Sequence, residues 1–375
     1  MSRVLHAAPP RKGLLLCALF LTMTSIDPLW LHGGEHEGLQ VIAYYRGRSM
    51  EIDRYALDRL THICYSFLHL KGRRLVTDRA YDSASIAYLV SLKRQHPHLK
   101  IILSFGGWGG CATCSAVFSE PEGRKEFAQS AKALLQKFDA DGIDLDWEYP
   151  AVQGYPGHPF SPDDKHNFTL LVQELRAELG NRYELSFAAG AFLDCLNNSI
   201  EWNEVMPIVD RVHLMTYDFV NGYSTVTGHL TPLFSCPGQG ESTDSVVRYC
   251  DSLGIPRSKM VIGAAFYARV WEDVADTNQG LFQQGKFKEY VAYRNFQKYF
   301  DPAEGFATFW DSTAQAPYIY NARKRIFATF DDARSVALKT RYAITGKLAG
   351  IMFWELTGDT PVEGLLEAID KTKKR

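Results

Sequence analysis

Short runs of β-branched and aromatic residues recur along the chain, and stretches with the apolar period of amphipathic helices separate them. This alternation is typical of a parallel β-sheet whose strands are joined by crossover helices. We predict eight strands, at residues 39–45, 62–67, 100–105, 142–148, 184–189, 211–218, 260–266 and 350–354. Eight strands close a (β/α)8 barrel, and 375 residues of which 46% are hydrophobic supply enough apolar material to fill one.

The segment after the fourth strand shows how the intervening helices are identified. Ser161 is a natural N-cap, Pro162 suits the first turn, and Gly180 is a typical stop. The apolar residues between them recur with helical period, at Phe168, Leu171, Val172, Leu175 and Leu179. Similar patterns predict helices at residues 123–138, 245–253 and 332–342.

The connection between the seventh and eighth strands is longer than the others. More than 80 residues separate Phe266 from Gly350, whereas a single crossover helix needs far fewer. We therefore predict an α/β fold in which a TIM barrel carries a small α+β insertion between its seventh and eighth strands. Residues 1–36 form a signal peptide and N-terminal segment in this prediction, residues 37–269 and 335–375 the barrel, and residues 270–334 the insertion domain.

The N-terminus has the layout of a secretion signal. Arg3, Arg11 and Lys12 precede an apolar run at residues 13–23, which polar and turn-rich sequence follows. The run is too short to span a bilayer, so a signal peptide is a better interpretation than a transmembrane helix. We predict a secreted or periplasmic protein with no membrane association after the signal is removed.

The charge composition restricts the class of partner. The formal net charge is -2, with 41 basic and 43 acidic residues, and no basic stripe appears before the short tail at residues 371–375. Nucleic acid and anionic membranes are therefore not expected as partners, and a neutral substrate fits better. We expect the protein to be a monomer.

Six of the seven cysteines lie beyond the predicted signal, which contains Cys17. Cys111 and Cys114 have the spacing of a redox motif or of half a zinc site. A redox motif of this type needs a helix start in a small βαβ unit, and a zinc site needs a second cysteine pair; neither is present. In an exported protein we favour a local disulfide over free thiols. A bond between Cys236 and Cys250 is a weaker prediction.

The fourth predicted strand carries acids on one face. Because side chains alternate along a strand, three carboxyl groups point to one side and three apolar residues to the other. The acids are Asp144, Asp146 and Glu148, and the apolar residues are Ile143, Leu145 and Trp147. The interior of a barrel is normally apolar, so three neighbouring acids there require a chemical explanation.

Proton sharing supplies that explanation. Like charges a few ångströms apart do not all ionise at neutral pH, so at least one acid keeps its proton. Glu148, nearest the mouth, would be ready to donate a proton to a glycosidic oxygen. Two alternatives to proton sharing are a divalent cation site and a solvent-exposed acidic strand. No His or further acidic cluster accompanies the three acids, which argues against the cation site.

We predict no metal ion and no cofactor, and a structural role for Asp141.

The acids also match a known family. The segment from Asp141 to Glu148 reads D-x-x-D-x-D-x-E, which resembles the signature of family 18 glycoside hydrolases, the chitinases and their relatives. Further motifs agree in order and strand. They are Ser104-Phe-Gly106-Gly107-Trp108 on the third strand, Met215-Thr-Tyr217-Asp218 on the sixth, Phe266-Tyr267-Ala-Arg269 on the seventh and Met352-Phe-Trp354 on the eighth. The resemblance extends from residue 40 to the C-terminus.

The resemblance implies a mechanism and roles for four catalytic residues. In the family, an acid protonates the leaving oxygen while the substrate's own 2-acetamido group attacks the anomeric carbon, with retention of configuration. Glu148 would be this acid and later the general base, and Asp146 would orient the acetamido group. Asp144 would share a proton with Asp146, and Tyr217 would hydrogen-bond the acetamido oxygen.

The resemblance also implies the substrate-binding positions. Trp354 would be the floor on which the sugar at the cleavage point stacks. Eight further residues match cleft positions by motif, namely Tyr44, Phe67, Gly107, Trp108, Met215, Asp218, Tyr267 and Arg269. Each has an alternative interpretation as a residue of a barrel layer or of the rim, most strongly Phe67 and Met215. Ala268 stands where the family usually has glycine.

The leading functional hypothesis is a chitinase, which hydrolyses β-1,4 linkages between N-acetylglucosamine units in chitin or chitooligosaccharides. A second enzymatic hypothesis is an endo-β-N-acetylglucosaminidase acting on the core of N-glycans; the long insertion favours linear chains instead. A third is a chitin-binding lectin that has lost turnover. The intact acids and Tyr217 argue against the lectin.

Overall fold

The computed structural model describes Met1 and residues 38–374. The predicted signal peptide, including Cys17, therefore lies outside the described residues apart from Met1. Among the residues that are described, no helix combines the length and apolar character needed to cross a membrane.

Eight parallel strands form a closed barrel, as predicted, with β1 pairing to both β2 and β14. The barrel strands are β1 (Gln40–Tyr45), β2 (His62–Lys71), β4 (Lys100–Gly106), β5 (Gly142–Asp146), β6 (Glu184–Gly190), β7 (Arg211–Met215), β8 (Met260–Ala265) and β14 (Gly350–Trp354). The short β3 (Arg74–Val76) extends the sheet as an antiparallel partner of β2.

Helices connect the strands and cover the outside of the barrel. They are α1 (Asp82–Ser91), α2 (Cys114–Ser119), α3 (Pro121–Phe138), α4 (Asp164–Leu179), α5 (Leu193–Asn198), α6 (Trp202–Val205), α7 (Thr243–Ser252), α9 (Ala333–Thr345) and α10 (Leu365–Lys373), whereas the short α8 (Phe296–Tyr299) lies within the connection between β8 and β14. The main core lies between these helices and the outward faces of the strands. Ile143 and Leu145 of β5 belong to it and are each at most 1% exposed.

A second sheet lies between β8 and β14. Its five antiparallel strands follow the order β10-β9-β13-β12-β11. They are β9 (Tyr267–Glu272), β10 (Lys286–Ala292), β11 (Ala307–Asp311), β12 (Ala316–Asn321) and β13 (Ile326–Phe330). This sheet and α8 form the α+β insertion, and the sheet begins at Tyr267, earlier than residue 270. The domain boundaries themselves remain a prediction.

Two local predictions were wrong. Ser161 is not the N-cap of α4: the helix begins at Asp164 with Asp163 as its N-cap, and Ser161 lies in the preceding turn, where its backbone donates to the Asp164 carboxylate at 2.8 Å. Cys236 and Cys250 are both free thiols. Cys111 and Cys114 form the expected disulfide.

Candidate active site

Three carboxyl groups lie at the C-terminal end of β5, where the loops of a barrel build their sites. Asp144 and Asp146 belong to the strand and are 0% and 3% exposed. Glu148 follows two residues later and is half-buried. The strand ends at Asp146, two residues earlier than predicted, since its pairing with β4 stops there. The peptide bond between Glu148 and Tyr149 is cis.

Asp144 is held by hydroxyl groups from three other strands. Ser104 of β4 donates to its Oδ2 at 2.9 Å, and Ser186 of β6 donates to its Oδ1 at 2.7 Å. Both serines stand beside Asp144 in the strand register. Tyr44 of β1 reaches across the barrel and donates to Oδ2 at 2.8 Å. The Asp144 carboxyl group therefore acts as the acceptor for three hydroxyl groups.

His213 of β7 completes the surroundings of Asp144. Its Nδ1 lies 2.9 Å from the Tyr44 hydroxyl and 3.4 Å from Asp144 Oδ1. Burial lowers the pKa of His213 to about 4, so the ring is neutral at physiological pH. The sequence motifs do not include this histidine, although the alternation of side chains along the sixth predicted strand places it on the inner face.

Asp146 lies between the other two acids and is the least satisfied of the three. Burial first, and then the charges of Glu148 and Asp144, raise its pKa well above the usual range. Its Oδ1 is buried and has no hydrogen-bond partner among the described residues. A buried carboxyl oxygen without a partner is costly, so a bound molecule with a matching polar group would be stabilised here.

Glu148 holds its proton at neutral pH. Burial raises its pKa from 4.5 to about 8; a hydrogen bond with Tyr149 opposes the shift, and the charge of Asp218 adds to it. The group is therefore a proton donor rather than a base in the unliganded protein.

Tyr217 follows β7 and faces the acids. Its hydroxyl makes only a weak contact with the sulfur of Met352, at 3.9 Å, and no nitrogen or oxygen partner among the described residues. Burial raises its pKa well above 10, as do the nearby acids, Asp146 foremost. The hydroxyl therefore stays protonated and available as a donor.

An aromatic group forms the floor between β1, β2 and β14. Trp354 stacks on Phe67 with ring centroids 5.5 Å apart, and Tyr44 lies 5.9 Å away at a tilt. Gly107 borders this group, with a φ of 78°, and a side chain there would collide with Phe67. Met215 and Phe67 are each 8% exposed and pack together inside the barrel mouth.

Asp218 is the centre of a second polar group at the mouth. Arg269 donates to both of its oxygens, at 3.0 and 2.7 Å, and Tyr267 donates to Oδ1 at 2.8 Å. Such a two-pronged pair fixes both side chains. Because Tyr267 is only 1% exposed, its hydroxyl group bonds to another side chain of the protein and does not face solvent.

Trp108 follows β4 and lies close to the residue after Glu148. It is 48% exposed and has three tyrosine rings within 6.5 Å, those of Tyr149, Tyr155 and Tyr223. Tyr155 and Tyr223 are themselves exposed, and the motifs had not indicated them. Exposed rings next to one another form a surface suited to the C–H faces of sugars.

The predicted site residues thus lie in or just beyond the barrel strands and β9, whereas Asp141 lies at the opposite, N-terminal end of β5. Its Oδ2 accepts from the Ile101 backbone and its Oδ1 from Lys93, each at 2.7 Å. Within the described part of the chain, two groups of donor atoms lie close enough together to hold a metal ion. They are Cys64 with Asp144 and His213, and His229 with Cys236 and Asp311. The first of them places a histidine beside the acids, which the sequence motifs do not predict.

Comparisons with known proteins agree with this geometry. Residues 40–359 match the family model described as glycosyl hydrolases family 18. The chain is 35% identical to Chitinase A1 of Niallia circulans over 305 residues, which cover 74% of this chain but 43% of that protein. It is 28% identical to Probable chitinase 2 of Drosophila melanogaster over 335 residues, covering 82% of this chain and 68% of that one.

Solved structures of the same fold include two bacterial enzymes. An N-acetylglucosaminidase of glycoside hydrolase family 18 from Paenibacillus barengoltzii superposes with a TM-score of 0.81 at 35% identity, covering 89% of this chain and 99% of that one. Chitinase ChiA74 from Bacillus thuringiensis superposes with a TM-score of 0.83 at 27% identity, covering 90% and 70%.

Proposed function

The chain belongs to glycosyl hydrolase family 18, and on that basis we propose that it hydrolyses β-1,4 linkages between N-acetylglucosamine units. The observation that carries the proposal is the protonated Glu148 beside Asp146, whose buried Oδ1 lacks a partner. A proton donor next to an unsatisfied carboxyl group is what a substrate bearing its own acetamido nucleophile requires.

Glu148 is the general acid in this proposal. It protonates the glycosidic oxygen while the acetamido oxygen of the sugar attacks the anomeric carbon, so the bond to the leaving sugar breaks as a ring closes onto that carbon. The resulting glutamate then removes a proton from the water that opens the ring. The configuration at the anomeric carbon is retained.

Asp146 and Asp144 act as a pair. The acetamido N–H supplies the partner that Asp146 Oδ1 lacks, and the negative charge of the pair stabilises the positive ring that forms. Asp144, which accepts from three hydroxyl groups, shares a proton with Asp146; when this proton moves from Asp146 to Asp144, the negative charge lies on Asp146 beside the ring. Tyr44 therefore influences the reaction through its hydrogen bond to Asp144.

Tyr217 and the floor position the sugar. The Tyr217 hydroxyl is free to donate to the acetamido oxygen, which orients this nucleophile toward the anomeric carbon. Trp354 supplies a stacking surface, and Asp218, which Arg269 holds, is close enough to Glu148 for its charge to raise the pKa of that acid. Trp108 extends the surface toward the rim.

Chitin or its oligosaccharides are the substrate class that we propose. The relatives named chitinases support this, as does the presence of the insertion sheet, whose first strand supplies Arg269 to Asp218. The Paenibacillus barengoltzii enzyme favours a second candidate, the release of single N-acetylglucosamine units. Action on the core of N-glycans has no such support.

Hydrolysis of chitohexaose tests the proposal. The anomer ratio of the first products is read by NMR before mutarotation, and their lengths by mass spectrometry. Retained β-anomers support the substrate-assisted mechanism, and predominant α-anomers contradict it. Dimers point to a chitinase, whereas monomers alone point to an N-acetylglucosaminidase.

We further propose that the protein is exported. The apolar run at residues 13–23 has the layout of a signal peptide, and a disulfide such as Cys111–Cys114 persists in oxidising compartments.

A further inference from the structure

The segment that carries Trp108 is rich in glycine and has little conformational preference of its own. Gly106, Gly107 and Gly109 have φ values of 104°, 78° and 85°, which other residues rarely adopt. Such a segment loses much entropy when it is ordered, so contacts from outside it must hold its conformation.

Two contacts connect this segment to the acid strand. The Gly107 backbone donates to the Asp146 carbonyl oxygen at 2.8 Å. At its far end the segment runs into α2, whose Phe118 packs against Trp147 with ring centroids 5.4 Å apart. The start of the turn that carries Trp108 is thus bonded to β5. Its end is connected through α2 to Trp147, the residue between Asp146 and Glu148.

The disulfide lies where the turn meets α2. Cys111 closes the turn, Cys114 is the first residue of α2, and both are buried, at 4% and 0% exposed. A bridge across a sequence separation of 3 closes a very short loop and therefore restricts the unfolded chain least. Its position suggests a local role rather than one in global stability.

We propose that the Cys111–Cys114 disulfide is a positioning element for substrate binding, which fixes the turn at residues 106–110 so that Trp108 faces the sugar chain. The disulfide acts through Trp108 and does not touch the reacting atoms. This inference rests on the proposed function of the same site. No motif of the family that we identified in the sequence includes either cysteine.

A double-mutant cycle tests the inference. Replacing both cysteines, Cys111→Ala with Cys114→Ala, should raise KM for chitohexaose about five- to tenfold while kcat changes less than about twofold. Trp108→Ala should produce the same pattern. In the Trp108→Ala background, loss of the disulfide should add less than about a further twofold, because the two changes remove one interaction.

The matched control is Cys250→Ala, which removes a buried free thiol of α7 outside the site and should leave KM unchanged. Effects that multiply in the double variant, or a loss confined to kcat, would overturn the inference. The serine pair, Cys111→Ser with Cys114→Ser, is a second version. If neither pair folds, the disulfide is required for folding, and the positioning role is wrong.

The outcome is separable from that of the proposed function. If the wild-type protein hydrolyses no chitooligosaccharide, the proposed function fails. Calorimetric titration with chitohexaose then still measures whether the affinity depends jointly on Trp108 and the disulfide.

Discussion

At Glu148, the environment that removes water from a carboxyl group also prepares it for proton donation. Burial favours the neutral form, and the charge of Asp218 acts in the same direction. Behind it, burial and the charges of Glu148 and Asp144 raise the pKa of Asp146, so this second carboxyl group also favours its protonated form.

This arrangement predicts an alkaline limit to activity. Because the pKa of Glu148 is raised to about 8, the acid form dominates below that pH and is lost above it. The kcat/KM for a fluorogenic chitobioside should therefore stay high through neutral pH and fall as the pH rises through about 8. A fall centred near pH 4.5, the ordinary value for a glutamate, would contradict the assignment.

Tyr217→Phe tests the role of a hydroxyl group without a strong partner. The variant keeps the ring that packs against Tyr267 but cannot donate to the acetamido oxygen. We expect kcat to fall about a hundredfold, with a much smaller change in KM. Tyr249→Phe, on α7, is the control and should behave as wild type. Equal changes in kcat and KM would refute the role.

The residues of the site differ in how far the sequence predicts them. The acids, Tyr217 and the glycines are identified by spacing within one strand or turn. Ser186 and His213 are not, because their contacts with Asp144 depend on which strands become neighbours and in which register. Tyr155 and Tyr223 reach Trp108 from loops whose course no local pattern predicts.

Among the elements, the joint between the insertion and the barrel depends on a buried ion pair. Lys339 of α9 lies 2.7 Å from Asp331, which follows β13, and both side chains are 0% exposed. Asp331 also accepts from the backbone of Ala265, the last residue of β8. The pair thus connects the second sheet, its following helix and a barrel strand.

Lys339→Met should be strongly destabilising, because it leaves Asp331 buried without its cation. We expect a loss of about 3–5 kcal/mol in the free energy of unfolding, measured with denaturant. Lys371→Met removes an exposed lysine of α10 and should leave the unfolding midpoint unchanged. A midpoint for Lys339→Met equal to that of wild type would show that the pair does not hold this joint.

The ends of the elements were harder to predict than their existence. All eight barrel strands lie where the apolar runs indicated, since burial on both faces leaves a strong signal. Capping depends on side-chain contacts that compete locally. Before α4, the Ser161 backbone donates to the Asp164 side chain within a turn, and Asp163 rather than Ser161 is the N-cap of the helix.

For the whole molecule, the charge balance has a kinetic consequence. Because the protein has a net charge of -2 and the sugar chain is neutral, there is little long-range electrostatic attraction between them for salt to screen. The kcat/KM for chitohexaose should change less than about twofold between about 50 mM and about 500 mM sodium chloride. A steep decrease with salt would indicate a charged substrate instead.

In the proposed mechanism, Glu148 supplies the proton that breaks the glycosidic bond, and one substitution tests this role most directly. Glu148→Gln keeps the shape of the side chain but cannot give up a proton, so we expect almost complete loss of chitohexaose hydrolysis with binding affinity retained. Both are measured on one preparation, by product release and by calorimetric titration. Hydrolysis at the wild-type rate in this variant would contradict the claim.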